Sequence, residues 1–169
     1  MHKQIRFLAL FATLVFSPLI LATAIPVHII GVIDGDTIKV RDSGGMKYLV
    51  SLSGVDAPEI SQSHGKVAKE YLCQLICDKD VTITYNKLNN KGEVLSKVTL
   101  NGKDISLIML KNGMAWQDID DDQVVSRHNY RDYARAENSA RIQNAGLWNE
   151  GINISPWRWR KISQSSIWE

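Results

Sequence analysis

The chain is short of the features that force an unusual architecture. Its 169 residues hold two cysteines and four prolines, and aromatic residues make up 8%. Two cysteines cannot build a disulfide-dense mini-scaffold, and no Cys/His pair has the spacing of a zinc finger. Neither sign of charge dominates, with a formal net of +2. The first 24 residues carry Lys3 and Arg6 and no acid, which leaves 18 basic and 18 acidic residues in the remainder. Bulk charge therefore does not draw a polyanion to this protein, and any nucleic-acid site has to be local. With 44% hydrophobic and 22% charged residues, the composition is that of a globular protein rather than a disordered chain or a coiled coil, and the length suits one domain.

Long apolar runs are absent except at the N-terminus. Residues 1–6 are short and basic, and residues 7–21 are almost wholly apolar, broken by Thr13, Ser17 and Pro18. Ala22-Thr23-Ala24 then places small residues at the two positions a signal peptidase reads. Residues 1–24 are expected to be a signal peptide, cleaved after Ala24, which sends the protein to a secreted or periplasmic, oxidising setting. A retained membrane anchor is the second reading, since the run is near the lower length for spanning; Pro18 and the small-x-small site favour cleavage. Cys73 and Cys77 lie four apart on an expected helix. That spacing is near the upper edge for a disulfide, so two small, half-buried apolar side chains are the preferred reading.

Strands come first along the chain, with helices interleaved. Residues 27–33 are β-rich and end at Asp34-Gly35. Residues 37–41 and 47–53 alternate about the Asp42-Ser43-Gly44-Gly45 turn, which predicts a hairpin. Residues 64–76 have apolar positions at helical spacing. Residues 81–85 and 94–100 read as strands around a polar loop at 86–92, and Asn101-Gly102 closes the second. Asp104 is the expected N-cap of a helix through residue 110, stopped at Asn112-Gly113. Residues 118–122 form an acidic loop, and residues 127–144 a helix ended by Gly146. Residues 147–169 are rich in tryptophan and lack helical period. The sum is an α+β domain over residues 25–150: a five-stranded barrel of the oligonucleotide-binding (OB) type with about three helices. A Trp-rich tail at 151–169 is either packed on it or mobile.

Four carboxylates stand out: Asp34, Asp36, Asp56 and Glu59. A hairpin can bring the first pair beside the second. Carboxylates converging on one spot repel one another unless a cation sits among them. Oxygen ligands suit Ca²⁺ or another hard divalent cation, and nothing here suits zinc. The alternative is ordinary turn chemistry, because Asp-Gly is a common turn and Asp-Ala-Pro-Glu can be a surface loop.

The order of these pieces carries a resemblance. Val32-Ile33-Asp34-Gly35-Asp36-Thr37 followed by Leu52-Ser53-Gly54-Val55-Asp56-Ala57-Pro58-Glu59 resembles the staphylococcal nuclease (thermonuclease) family. Gly65-Lys66-Val67-Ala68, Leu110-Lys111-Asn112-Gly113-Met114-Ala115-Trp116, Ala136-Glu137, Ala140-Arg141 and Gly146-Leu147-Trp148 follow in matching order. Pro156-Trp157-Arg158-Trp159-Arg160 is similar to the tail of secreted bacterial members. The resemblance implies an OB barrel that holds Ca²⁺ and hydrolyses DNA and RNA, as a monomer. Carried over, Asp36, Asp56 and the Ala57 carbonyl are metal ligands, Asp34 and Thr37 lie near the site, and Glu59 orients or deprotonates the attacking water.

The sequence also departs from that pattern. Where the resemblance places two phosphate-clamping arginines, this chain has Ser51 and Glu93, and a tyrosine expected after Ala115-Trp116 is missing. An arginine aimed at a transferring phosphoryl group is worth roughly 10³ to 10⁵ in rate, so slow catalysis is expected. Lys47 shares a strand face with Ser51 and Lys97 shares one with Glu93, so these lysines are the candidate substitutes. The other readings are a catalytically inactive nucleic-acid-binding module and a protein-interaction domain on the same fold. Arg127, Arg131 and Arg135 form an i, i+4, i+8 stripe, read in preference as a solvated face paired with acids. Trp148, Trp157, Trp159 and Trp168 are read as pins for the tail.

Overall fold

Alternating burial along each strand builds the protein around one core. The computed structural model describes residues 24–88, 92–118, 127–150 and 154–165, excepting the side chains of 85–87, 127, 128 and 150. The expected signal peptide, apart from Ala24, and Trp168 lie outside the described residues. The strands are β1 (Ala24–Val32), β2 (Thr37–Arg41), β3 (Lys47–Leu52), β4 (Val55–Asp56), β5 (Asp80–Leu88), β6 (Val94–Leu100), β7 (Lys103–Asp104) and β8 (Trp116–Gln117). The helices are α1 (Gly65–Ile76), α2 (Ile105–Lys111), α3 (Arg127–Ile142) and α4 (Pro156–Ser165), with a 3₁₀ turn at Gly146–Glu150.

Strand order is β3-β2-β1-β5-β6-β7, and a parallel pairing of β3 with β6 closes five strands into a barrel. Closure removes the exposed sheet edges. A register shift between Ile29 and Gly31 bends β1, so that its first half pairs with β5 and its second with β2. Ile29, Ile38, Val40, Val50, Leu52, Ile83 and Val98 fill the interior and are almost wholly excluded from solvent. Each such side chain contributes roughly 1.5–3 kcal/mol by burial.

Helix α1 lays Ala68, Leu72 and Ile76 onto this core, and α2 adds Ile105, Met109 and Leu110. The Asp104 carboxylate accepts from the Leu107 N–H at the start of α2, as expected of an N-cap. Trp116 meets Trp148 edge-on at 5.0 Å, and the Arg141 guanidinium covers Trp148 at 3.7 Å. That stack pins the end of α3 to the barrel. No helix among the described residues is long and apolar enough to cross a membrane.

Two expectations are corrected. The tail forms a helix, α4, seated on buried Ser155 and Pro156. Its polar and aromatic content hid the period, and proline at the first helical position gave the start signal. Cys73 and Cys77 are joined in a disulfide. The helix ends at Ile76, and Cys77 turns away with φ −58° and ψ 136°, which brings the two Cα atoms to 4.7 Å. That lies within the usual range for a disulfide.

The bond closes a short loop, so the chain-entropy account assigns it about 2 kcal/mol. Replacing both cysteines by alanine is expected to lower the unfolding free energy by that amount, read as a lower urea midpoint at unchanged slope, and to leave the far-ultraviolet dichroism native, because Leu72 and Ile76 still anchor α1.

Candidate active site

Asp34 shapes the first loop. Its Oδ1 accepts from the Asp36 N–H at 3.1 Å and the Thr37 N–H at 2.7 Å, an Asx turn at the β1–β2 connection. Gly35 is required by close approach. A Cβ there would lie 2.6 Å from the Ala57 Cβ and 2.8 Å from the Ala68 Cβ. The glycine thus lets the first acidic loop rest on the second and on α1. Asp36 faces inward: its Oδ2 accepts from the Ala57 N–H at 2.6 Å and its Oδ1 from the Thr37 hydroxyl at 3.1 Å. These bonds join the two acidic motifs directly.

Asp56 is held by the short β4–β8 ribbon, opposite Trp116. Glu59 sits on the following loop, whose backbone touches Gly65. A Cβ at Gly65 would lie 1.9 Å from the Glu59 carbonyl oxygen. Gln62, which is buried, orders that loop: its Oε1 accepts from the Glu59 N–H at 3.3 Å and its Nε2 donates to the Ile154 carbonyl just before α4.

The side chain that joins these acids comes from the tail. Arg160 on α4 donates from Nη1 to Asp56 Oδ1 at 3.0 Å, from Nη2 to Asp56 Oδ2 at 2.8 Å, and from Nη1 to Glu59 Oε1 at 2.8 Å. Asp56 and Glu59 therefore converge on one guanidinium, with the Asp56 contact a fork-to-fork pair.

Electrostatics follow from burial. Asp36 is held well above the ordinary carboxylate value, first by burial and then by the Asp34 charge, with the Ala57 N–H pulling the other way and Asp56 adding repulsion. Burial pushes Asp56 up as well; the Arg160 bonds and charge offset this in part, while Asp118 and Glu59 add to it. The same carboxylates make Arg160 hold its proton more firmly.

The donor set fits a hard cation. Asp36 and Asp56 offer only oxygens, and a buried carboxylate crowded by like charges is an environment that a divalent ion relieves. No closed cage exists: among the described residues, no group of three or more such side chains is positioned to hold a metal. The site is an edge of two carboxylates beside Ala57, and water would complete the coordination.

Ser51 and Glu93 close on each other, Ser51 Oγ donating to Glu93 Oε2 at 2.6 Å. This pair lies at the site's end of the barrel, because Ser51 is opposite Thr37. The expected lysine substitutes are elsewhere. Lys97 bonds Asp104 at 3.1 Å. Lys47 pairs in register with Arg41 at the far end of β3, about 13 Å from Ser51 at strand rise. On α3, Arg135 pairs with Asp132 at 3.1 Å, as read for a solvated face; the Arg127 side chain lies outside the described residues. Trp148 is a pin, whereas Trp159 lines a cavity with Glu59 and Arg160. Sequence reasoning missed Arg160 and Asp118. The signal for the first was an arginine in a tail motif already noted, and for the second an acid two residues after Trp116.

A family model described as "Staphylococcal nuclease homologue" matches residues 49–150. An uncharacterized endonuclease of Escherichia coli is 32% identical over 148 residues, 86% of this chain and 92% of the relative. A micrococcal nuclease of Shigella flexneri is 29% identical over 156 residues, 82% of each chain. A probable staphylococcal-like nuclease of Oryza sativa subsp. japonica is 36% identical over 121 residues, 71% of this chain and 31% of the relative.

The raised Asp36 carboxyl gives a pH test in chelator. The folded state keeps that proton to higher pH than the unfolded chain, so it binds more protons above the ordinary value of 3.8. Stability therefore falls as pH rises from there through the folded-state value. Asp36→Asn is expected to remove that loss and raise the neutral-pH melting temperature by about 2–8 °C; an unchanged or lower value would mean that the buried charge is fully compensated.

Proposed function

The chain belongs to the staphylococcal nuclease family, and we propose that it is a secreted or periplasmic, Ca²⁺-dependent endonuclease that hydrolyses phosphodiester bonds of DNA and RNA slowly. The supporting observation is that Asp36, Asp56 and Glu59 gather at one mouth of an OB barrel, tied by the Asp36–Ala57 bond and by Arg160. A hard cation held at Asp36, Asp56 and the Ala57 carbonyl would polarise the phosphoryl oxygen. Glu59 Oε2 makes no bond to a described residue. It is therefore free to take the proton of an attacking water as the new P–O bond forms and the bond to the leaving oxygen breaks. The slow rate follows from the Ser51–Glu93 pair, which puts an acid where a phosphate approaches.

That pair also favours a second reading, an inactive nucleic-acid-binding module on the same fold. Cleavage of DNA and RNA with and without Ca²⁺ decides between them. Glu59→Gln is expected to cost about 10²- to 10⁴-fold in rate; cleavage that survives it unchanged would sink the assignment. Ser51→Arg with Glu93→Arg is expected to raise the rate by roughly tenfold or more, since each donor aimed at the phosphate contributes about that or better. Ca²⁺ titration should raise the melting temperature of the wild type and leave Asp36→Asn unmoved.

A further inference from the structure

We propose that Arg160, carried by α4, is the phosphate-binding guanidinium of this site, and that Trp159 beside it forms a platform for one base of a single-stranded nucleic acid. The inference rests on the reading of the substrate as a phosphodiester. Asp56 and Glu59 engage three of the five guanidinium N–H groups. The remaining two, on Nε and Nη2, bond to no described residue and lie side by side along one edge of the guanidinium plane. Such an edge is a second fork that matches two phosphate oxygens. The carboxylates hold the plane in place, so little side-chain freedom is lost when an anion binds.

Arg160 lines a cavity of about 330 Å³ with Glu59, Ser61, Trp159, Ser163 and Gln164. That volume suits a single small-molecule unit such as a nucleotide, and an indole face stacks on any base. The placement of α4 is specified rather than incidental, because Gln62 joins the Glu59 N–H to the Ile154 carbonyl and so registers helix and loop together. Among the described residues Arg160 is the one cation bonded to Asp56 and Glu59.

A tethered guanidinium can also act as a competitor that keeps a metal off Asp56. Two features weigh against that role. The two Asp56 oxygens offer about four lone-pair sites, of which Arg160 uses two. Asp34, Asp36, Asp56 and Glu59 together also exceed the charge of one arginine, so a divalent cation and Arg160 are compatible there.

The test is binding of a fluorescent, phosphorothioate-linked single-stranded oligonucleotide by the purified protein, in Ca²⁺ and across a salt series. Ca²⁺ affinity is measured in parallel by calorimetry, and folding by thermal melts. Arg160→Ala is expected to weaken oligonucleotide binding about 10- to 100-fold. It should also reduce the slope of log K against log salt by about 0.7, the loss of one phosphate contact. Arg160→Lys, which keeps the charge without the fork, should restore the slope and only part of the affinity. Arg158→Ala, two residues away on the opposite side of α4 and exposed, should change neither. Trp159→Ala should weaken binding roughly 5- to 100-fold and leave the slope intact. Unaltered oligonucleotide affinity and slope in Arg160→Ala would overturn the inference. So would tighter Ca²⁺ binding accompanied by tighter oligonucleotide binding, the mark of a competitor, or a wild type that binds no oligonucleotide. Cleavage that ignores Arg160 would leave the nuclease reading standing without this role. Arg160-dependent binding without cleavage would retain the role and remove the nuclease.

Discussion

A half-buried carboxylate at the seam of two loops governs this molecule. Asp36 is partly shielded from solvent, accepts the Ala57 N–H at 2.6 Å, and has Asp34 and Asp56 close enough to raise its pKa. Burying an ionised group costs several kcal/mol unless partners or counter-charges offset it. The fold accepts that cost because the same bond holds the two acidic motifs together, and they come from loops about twenty residues apart. The small residues at this seam exist for the same purpose. Gly35, Ala57 and Ala68 pack so closely that an added Cβ at position 35 would collide with both alanines. The site is therefore assembled by backbone proximity, and its negative potential is a consequence.

Much of the fold was legible in the sequence because local signals agreed with one another. The hairpin over β2 and β3, strand β6, and the Asp104 cap of α2 each followed from alternation, turn residues or capping chemistry. The barrel was read from the number and order of short strands with helices between and after them, since the parallel pairing of β3 with β6 across some forty residues leaves no local trace of its own. Helix α4 was hidden for a related reason. Its stability comes from docking through Ser155 and Pro156, and a short helix without tertiary contacts is marginal. The disulfide went unread because ideal helical spacing was applied to Cys77, which already lies beyond the helix.

The site was half legible. Spacing and order pointed to Asp36, Asp56 and Glu59, and the structure brings them together. The expected lysine substitutes were chosen by strand face alone, a rule that says nothing about distance along the strand or about rival partners. Lys47 failed on the first count and Lys97, bonded to Asp104, on the second. Arg160 lay about a hundred residues from the acids it bonds, and no periodicity links positions that far apart.

Arginine on the tail rather than on the barrel changes what the site can do. Side chains rooted in strands are rigid, whereas α4 is tethered through Gln62, Ser155 and the ion pairs of Arg160 itself. The guanidinium is thus oriented by the acids that it neutralises, and each group fixes the other. Ser51 donates to Glu93 at 2.6 Å, which sets a hydroxyl and a carboxylate at the barrel mouth. Among the described residues, Arg160 on the helix side is the one cation bonded to Asp56 and Glu59. In the role proposed for Arg160, an entering strand would lie along α4. The dependence of the site on its C-terminal helix follows from that placement of Arg160.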